Sequence, residues 1–123
     1  MKTLHILHSE AAPGWGGQEI RVFQECQLLL ERGHRVSLVC QPDSPLGNKC
    51  SRFSHRNLSY FPLTMKRAFS LSALFSLIKI IKRSRPDILH SHSSIDSWLI
   101  AMAGTFLGIP IIRSRHVMIP IRN

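Results

Sequence analysis

Three groups of residues have the types and spacing to handle a ligand. The first is Gly14-Trp-Gly-Gly17, where a short apolar N-terminal stretch gives way to an amphipathic one. Glycines there let the backbone approach a ligand closely, because no Cβ intervenes. A helix opening directly behind them aims free N–H groups and its positive end at an anion, so a phosphate-bearing or sugar ligand is the natural fit. The second group is His90-Ser-His92 with Ser93, Ser94 and Asp96 just after it. The third is His116, close behind Arg113 and Arg115. An imidazole at a ligand edge suits hydrogen bonding or proton transfer near neutral pH, and the neighbouring cations favour its neutral form.

Each group has a plainer alternative. Gly14-x-Gly16-x-x-Glu19 carries Glu where the dinucleotide fingerprint needs a third Gly or Ala. No Gly-Lys-Ser/Thr follows, so it is not a P-loop, and a turn needing positive φ would also use these glycines. His90, His92 and His116 raise the question of a metal. No carboxylate or cysteine sits at ligand spacing, so no metal is expected. His92, Ser93, Ser94 and Asp96 read better as hydrogen-bonding groups for a hydroxylated ligand. Asp96 is alternatively a helix N-terminal carboxylate, favourable with the macrodipole and nothing more. There is no Gly-x-Ser-x-Gly nucleophile motif and no carboxylate pair placed for glycoside hydrolysis.

The elements that must position these groups alternate along the chain. Strands are expected over 3–8, 35–40, 57–61, 87–91 and 109–113, and helices over 17–32, 70–83 and 95–107, with a short helix within 48–56. In the first helix Ile20, Phe23, Leu28 and Leu30 form a broad apolar stripe, and Gly33 is the expected C-terminal cap. In the second strand Val36, Leu38 and Cys40 share one face and Val39 takes the other. The 70–83 helix has one narrow polar stripe of Ser72, Ser76, Lys79 and Arg83, and Pro86 stops it. Its large apolar remainder fits a helix packed between the sheet and a neighbour; a basic amphipathic helix of this kind can also lie in a membrane interface. Strands alternating with helices imply an α/β fold, a Rossmann-like parallel sheet with helices on both faces. Ligands of such sheets bind outside the carboxyl ends of the strands, where all three groups fall.

At 123 residues and 44% hydrophobic content the chain is one ordered domain, and no stretch is long and apolar enough to span a bilayer. The N-terminus does not read as a signal peptide, since Glu10 follows a very short apolar run. Cys26, Cys40 and Cys50 are odd in number and lack C-x-x-C spacing, so reduced thiols in a cytoplasmic setting are expected, with Cys40 in the core. The formal net charge is +9, and nine Lys/Arg with no Asp or Glu lie between Ser44 and Pro86. Such a patch draws phosphate-rich partners, whether anionic membrane or nucleic acid, or is simply a solvated face. Nucleic acid is the less favoured partner, because the region lacks aromatic residues interleaved with the basic ones on a platform.

Taken together, four stretches resemble the N-terminal half of a GT-B glycosyltransferase, specifically retaining glycosyltransferase family 4. They are Gly16-Gly-Gln-Glu-Ile-Arg21, Leu29-x-Glu-Arg-Gly-His-Arg-Val-Ser-Leu38, Arg85-Pro-Asp-Ile-Leu-His-Ser-His-Ser-Ser-Ile-Asp-Ser-Trp98 and Pro110-Ile-Ile-Arg-Ser-Arg-His116. The resemblance implies an acceptor-side domain, with Gly16 and Gly17 near the donor diphosphate. It implies that His116 contacts the transferred sugar as the catalytic residue, and that His92, Ser93, Ser94, Asp96 and Arg113 lie on the acceptor side. It implies a nucleotide-sugar donor as substrate, no cofactor, and a glycan, lipid-linked or lipopolysaccharide acceptor at the inner face of the cytoplasmic membrane. The family's donor-binding domain has no counterpart in residues 1–123. One incomplete GT-B N-terminal domain, inactive alone, is therefore expected, with a missing half or a partner chain completing the cleft. The competing class is a non-catalytic basic α/β module for nucleic acid or anionic membrane.

Overall fold

The computed structural model describes residues 3–114. Five strands, β1 (His5–Glu10), β2 (Arg35–Cys40), β3 (Leu58–Pro62), β4 (Ile88–Ser91) and β5 (Ile111–Arg113), alternate with four helices, α1 (Gly17–Glu31), α2 (Pro45–Arg52), α3 (Leu71–Ser84) and α4 (Ser94–Leu107). Every strand pair is parallel, in the order β3-β2-β1-β4-β5. The Rossmann-like α/β sheet expected from the alternation is therefore present. The chain winds outward from β1 in one direction and, after β3, returns to continue from β1 in the other. The crevice between the ends of β1 and β4 is the reversal point at which such sheets collect ligands.

β1 runs two residues beyond the expected 3–8. His8, Ser9 and Glu10 keep register with Leu38, Val39 and Cys40, and His8 and Ser9 also with His90 and Ser91. Ladder pairing, on both sides for His8 and Ser9 and with β2 for Glu10, holds these polar residues in the strand, where hydropathy alone reads loop. α1 also turns differently from its expected stripe. Val22, Cys26 and Leu30, spaced four apart, are buried with Glu19, while Ile20 and Leu28 are exposed. The helix lays a narrow edge on the sheet because α2 shares that face, packing Leu46 and Cys50 into the same cluster. α2 begins earlier than expected, where Ser44 Oγ accepts the Gly47 N–H at 3.1 Å and Pro45 takes the first turn.

The two sheet faces have separate cores. Leu7, Val39 and Leu89 meet Leu77 and Ile81 of α3 and Leu99, Ile100 and Ala103 of α4. Val36, Leu38 and Cys40 meet α1 and α2, as the alternation along β2 requires. α4 comes close to β5 at Gly104, where a Cβ would lie 2.7 Å from Ile111 Cδ1. α3 starts on Ser70, whose Oγ accepts the Ala73 N–H, and ends on Arg85 in the left-handed region (φ 53°) just ahead of Pro86. It buries Ala73, Leu77 and Ile81 and leaves Leu71 and Phe75 in solvent. Truncating Leu77 to Ala is therefore expected to cost about 2–5 kcal/mol in urea unfolding. Phe75→Ala should stay within about 0.5 kcal/mol of wild type; equal losses would mean the helix faces are misassigned.

Candidate functional site

Asp96 organises the edge of the sheet. It has no exposed surface. One carboxylate oxygen accepts from Ser9 Oγ at 2.5 Å and from the His92 N–H at 3.0 Å. The other accepts the Ala11 N–H at 3.0 Å, the Ser93 N–H at 3.1 Å and the Ser93 hydroxyl. These bonds join the ends of β1 and β4 to the first turn of α4, where Asp96 is the N3 acid of a capping box with Ser93. Its contacts are thus those of a helix N-terminal carboxylate shared between two loops. Of its predicted companions, His92 is buried, Ser93 half-buried and Ser94 exposed.

Gln41, just past β2, does similar work for the other loops. Its amide donates to the carbonyls of Ala11 and Met65 at 2.9 and 2.7 Å, and its Oε1 accepts the Met65 N–H at 3.0 Å. A cavity of about 540 Å³ opens beside it, lined by Ala11, Gln41, Met65, Lys66 and Ile95 among others.

The glycine loop spans 11–16, shorter than expected because β1 is longer. Gly16 and Gly17 are exposed at the N-terminus of α1. Glu19, which spoils the dinucleotide fingerprint, turns back so that its Oε1 accepts the Gly16 N–H at 3.1 Å. Lys49 of α2 sits over the Trp15 ring at 5.4 Å and steadies the loop from the side. Beneath it Glu10 accepts from the Ala12 N–H at 3.0 Å and from Gln18 Nε2 at 2.8 Å. Burial pushes the Glu10 carboxyl up to about 7, and the Ala12 hydrogen bond only partly offsets this.

His90 and His92 share the α1 face with His8, which pairs with His90 in register. The three rings lie 4.3–5.1 Å apart, centroid to centroid, and His8 Nδ1 is 2.8 Å from His92 Nε2. Burial, with a smaller contribution from His90, holds the His8 imidazole down at about 3. Glu25 of α1 joins them: one ligand atom from each of His8, Glu25, His90 and His92 falls within 4.8 Å of every other. No carboxylate stands at ligand spacing from the histidine pair in the sequence, yet the fold brings one beside it. Glu25 is remote along the chain and arrives because α1 lies over the strand pair. Arg113 goes elsewhere. It flanks the α4 side of the sheet with Ser97 and Trp98 around a cavity of about 150 Å³, apart from His92. His116 lies outside the described residues. Cys26, Cys40 and Cys50 are free thiols buried in the α1/α2 core, and burial raises all three, Cys40 to about 11 and Cys50 to about 12.

His8, Glu10, Gln41 and Glu25 belong to none of the three sequence groups, and the fold adds them to the site. A signal for the first two existed: polar residues two apart in a strand beside a histidine strand are placed on one face. Gln41 and Glu25 carry no local signal.

A profile of Glycosyltransferase Family 4 matches residues 15–123. The UDP-Gal:alpha-D-GlcNAc-diphosphoundecaprenol alpha-1,3-galactosyltransferase of Escherichia coli is 29% identical over 120 residues, 91% of this chain and 30% of that protein. A phosphatidylinositol N-acetylglucosaminyltransferase subunit of Homo sapiens is 33% identical over 93 residues, 69% of this chain and 19% of that one. A glycosyltransferase structure from Rickettsia africae superposes with a TM-score of 0.78 at 17% identity, over 100% of this chain and 32% of its own. The chain thus spans about a third or less of each.

Two measurements test the roles given to the buried acids. Asp96→Asn removes one acceptor oxygen and the charge that several donors share. It should lower unfolding free energy by about 1.5–3 kcal/mol and speed amide exchange at Ala11 and Ser93. Folded Glu10 holds a proton that the unfolded chain, at the ordinary 4.5, has released. Its contribution to stability is therefore present below about pH 4.5 and lost as pH rises through about 7. Relative to wild type, Glu10→Gln should become progressively more stable across that window in urea melts, and a flat difference would show that Glu10 titrates normally.

Proposed function

This chain belongs to glycosyltransferase family 4, and on that premise we propose that it forms the acceptor-side wall of a glycosyltransferase moving a sugar from a nucleotide-sugar to a lipid-linked or lipopolysaccharide acceptor. The observation that carries the reading is the convergence of the glycine loop and the Asp96-pinned loop at the reversal point of the sheet. Gly16 and Gly17, exposed at a helix N-terminus, suit an approaching diphosphate. Gln41, Met65, Lys66 and Ile95 around the larger cavity give a partly apolar, partly cationic recess for the acceptor. His116 is the residue assigned to the transferred sugar, and Ser93 and Ser94 offer hydroxyls on the acceptor side. The E. coli relative's name specifies a UDP-sugar donor and a diphosphoundecaprenol-linked acceptor, which supports this pairing. The nucleotide-sugar is a substrate, and the reading needs no cofactor.

Sugar transfer needs both walls of a closed cleft, because positioning and stabilisation of the departing diphosphate supply most of the rate. Residues 1–123 offer one wall, so a second domain or a partner chain must supply the other.

The same reading places the protein peripherally at the inner face of the cytoplasmic membrane. No helix among the described residues is long and apolar enough to cross a membrane. Phe69, Leu71, Phe75 and Trp98 are each more than half exposed, and the Phe69 and Trp98 rings lie 5.5 Å apart. Lys66 and Arg67 precede this ridge, a combination suited to anionic lipid.

Supplied with a UDP-sugar and a diphosphoundecaprenol-linked acceptor, residues 1–123 alone should give no turnover, while the UDP-sugar should move the amide resonances of Gly16 and Gly17. Robust turnover would sink the single-wall reading. Vesicles with anionic lipid should pellet the protein, neutral vesicles and oligonucleotides should not retain it, and Trp98→Ser with Phe75→Ser should weaken pelleting. Retention by oligonucleotide instead would favour the nucleic-acid module.

A further inference from the structure

Across the α1 face the aliphatic core stops short. Val36, Leu38 and Cys40 of β2 meet α1 and α2 as an apolar cluster. The matching positions of β1 and β4 are His8 and His90, with His92 two residues on. Imidazoles packed in this way bury polar atoms where leucines would cost nothing. His8 Nε2 is buried and has no hydrogen-bond partner among the described residues, and an unsatisfied buried nitrogen is a net cost to folding.

We propose that His8, Glu25, His90 and His92 bind one late first-row divalent ion, zinc foremost, which clamps α1 onto β1 and β4. The site is independent of the sugar-transfer reading. The donor set is three imidazoles and a carboxylate, the nitrogen-and-oxygen set that zinc and its neighbours take. Two imidazoles two residues apart in sequence share a sheet face, and the third faces them from the adjacent strand in register. The four ligand atoms already lie within 4.8 Å of one another. A tetrahedral ion with bonds of about 2.0–2.1 Å needs them about 3.3–3.4 Å apart, so rotamer adjustments of roughly an ångström complete the shell. His90 and Glu25 are only half-buried, which leaves an ion a way in. His90 Nε2 also lies 2.5 Å from Ser114 Oγ, an outer partner of the kind that orients ligating histidines. The buried thiols sit in the neighbouring apolar cluster, so the shell is free of sulfur.

The test uses the whole chain stripped of metal and titrated with Zn²⁺ against a chromophoric chelator, with Co²⁺ as the spectroscopic probe. One equivalent should bind. Cobalt should give the intense visible bands of a four-coordinate site without thiolate charge transfer. X-ray absorption on the zinc form should show a nitrogen/oxygen shell with imidazole scattering and no sulfur near 2.3 Å. His90→Ala and Glu25→Gln should each weaken zinc binding at least about tenfold, whereas His55→Gln, which alters a half-buried loop histidine outside the cluster, should not. No binding, a sulfur shell, or affinity unchanged in both site variants would overturn the proposal. Should either variant fail to fold, the absorption spectrum of the wild-type zinc form decides alone.

Discussion

A buried carboxylate that accepts from two loops at once is the constraint on which the cleft depends. Asp96 takes hydrogen bonds from Ser9 near the end of β1 and Ala11 just past it, and from His92 and Ser93 past β4. Desolvating an ionised acid costs several kcal/mol unless its lone pairs are filled, and here backbone amides, hydroxyls and the first turn of α4 fill them. The arrangement works only with β1 and β4 adjacent and their ends level. The same group that caps a helix therefore also enforces strand order and register at the point where a ligand would enter.

Around that pin the strand ends are polar. Ser9, Glu10, Ser91 and His92 have almost no exposure, although they sit at the edge of the sheet nearest the loops. Ser9 and His92 bond Asp96 of α4, Ser91 accepts from Ser97 of the same helix, and Glu10 accepts from the glycine loop, while Gln41 gathers the turns after β1, β2 and β3. A cleft built this way has a rigid floor and exposed glycines at its rim, which is the division of labour a preorganised binding surface needs.

Much of this was legible in the sequence, and what was not has physical causes. Alternating apolar runs separated by Gly33, Pro86 and Gly108 predict the parallel sheet, because those residues end helices through positive φ or a missing N–H. Val36, Leu38 and Cys40 facing opposite to Val39 follows from the strand period. The end of β1 was hidden because hydropathy cannot see ladder pairing on both sides of a polar strand. The buried edge of α1 was misplaced because α2, starting at Pro45, occupies part of the face that Ile20 and Leu28 would otherwise cover. Asp96 was visible both as a ligand group and as a cap, and only tertiary contacts reveal its partners Ser9 and Ala11. Glu25 could not be matched to His90 and His92 from spacing, since 65 positions separate it from the nearer of them.

The placement of sulfur has a consequence for watching this molecule move. All three cysteines sit in the layer formed by α1, α2 and β2, and none sits under α3 or α4. Their thiols are shielded and held protonated, so they stay silent toward electrophiles while that layer is closed. Their rate of alkylation is then a clock for one half of the domain alone. It would tick when the glycine-loop helix lifts from the sheet, and stay quiet when only the aromatic-ridged half breathes.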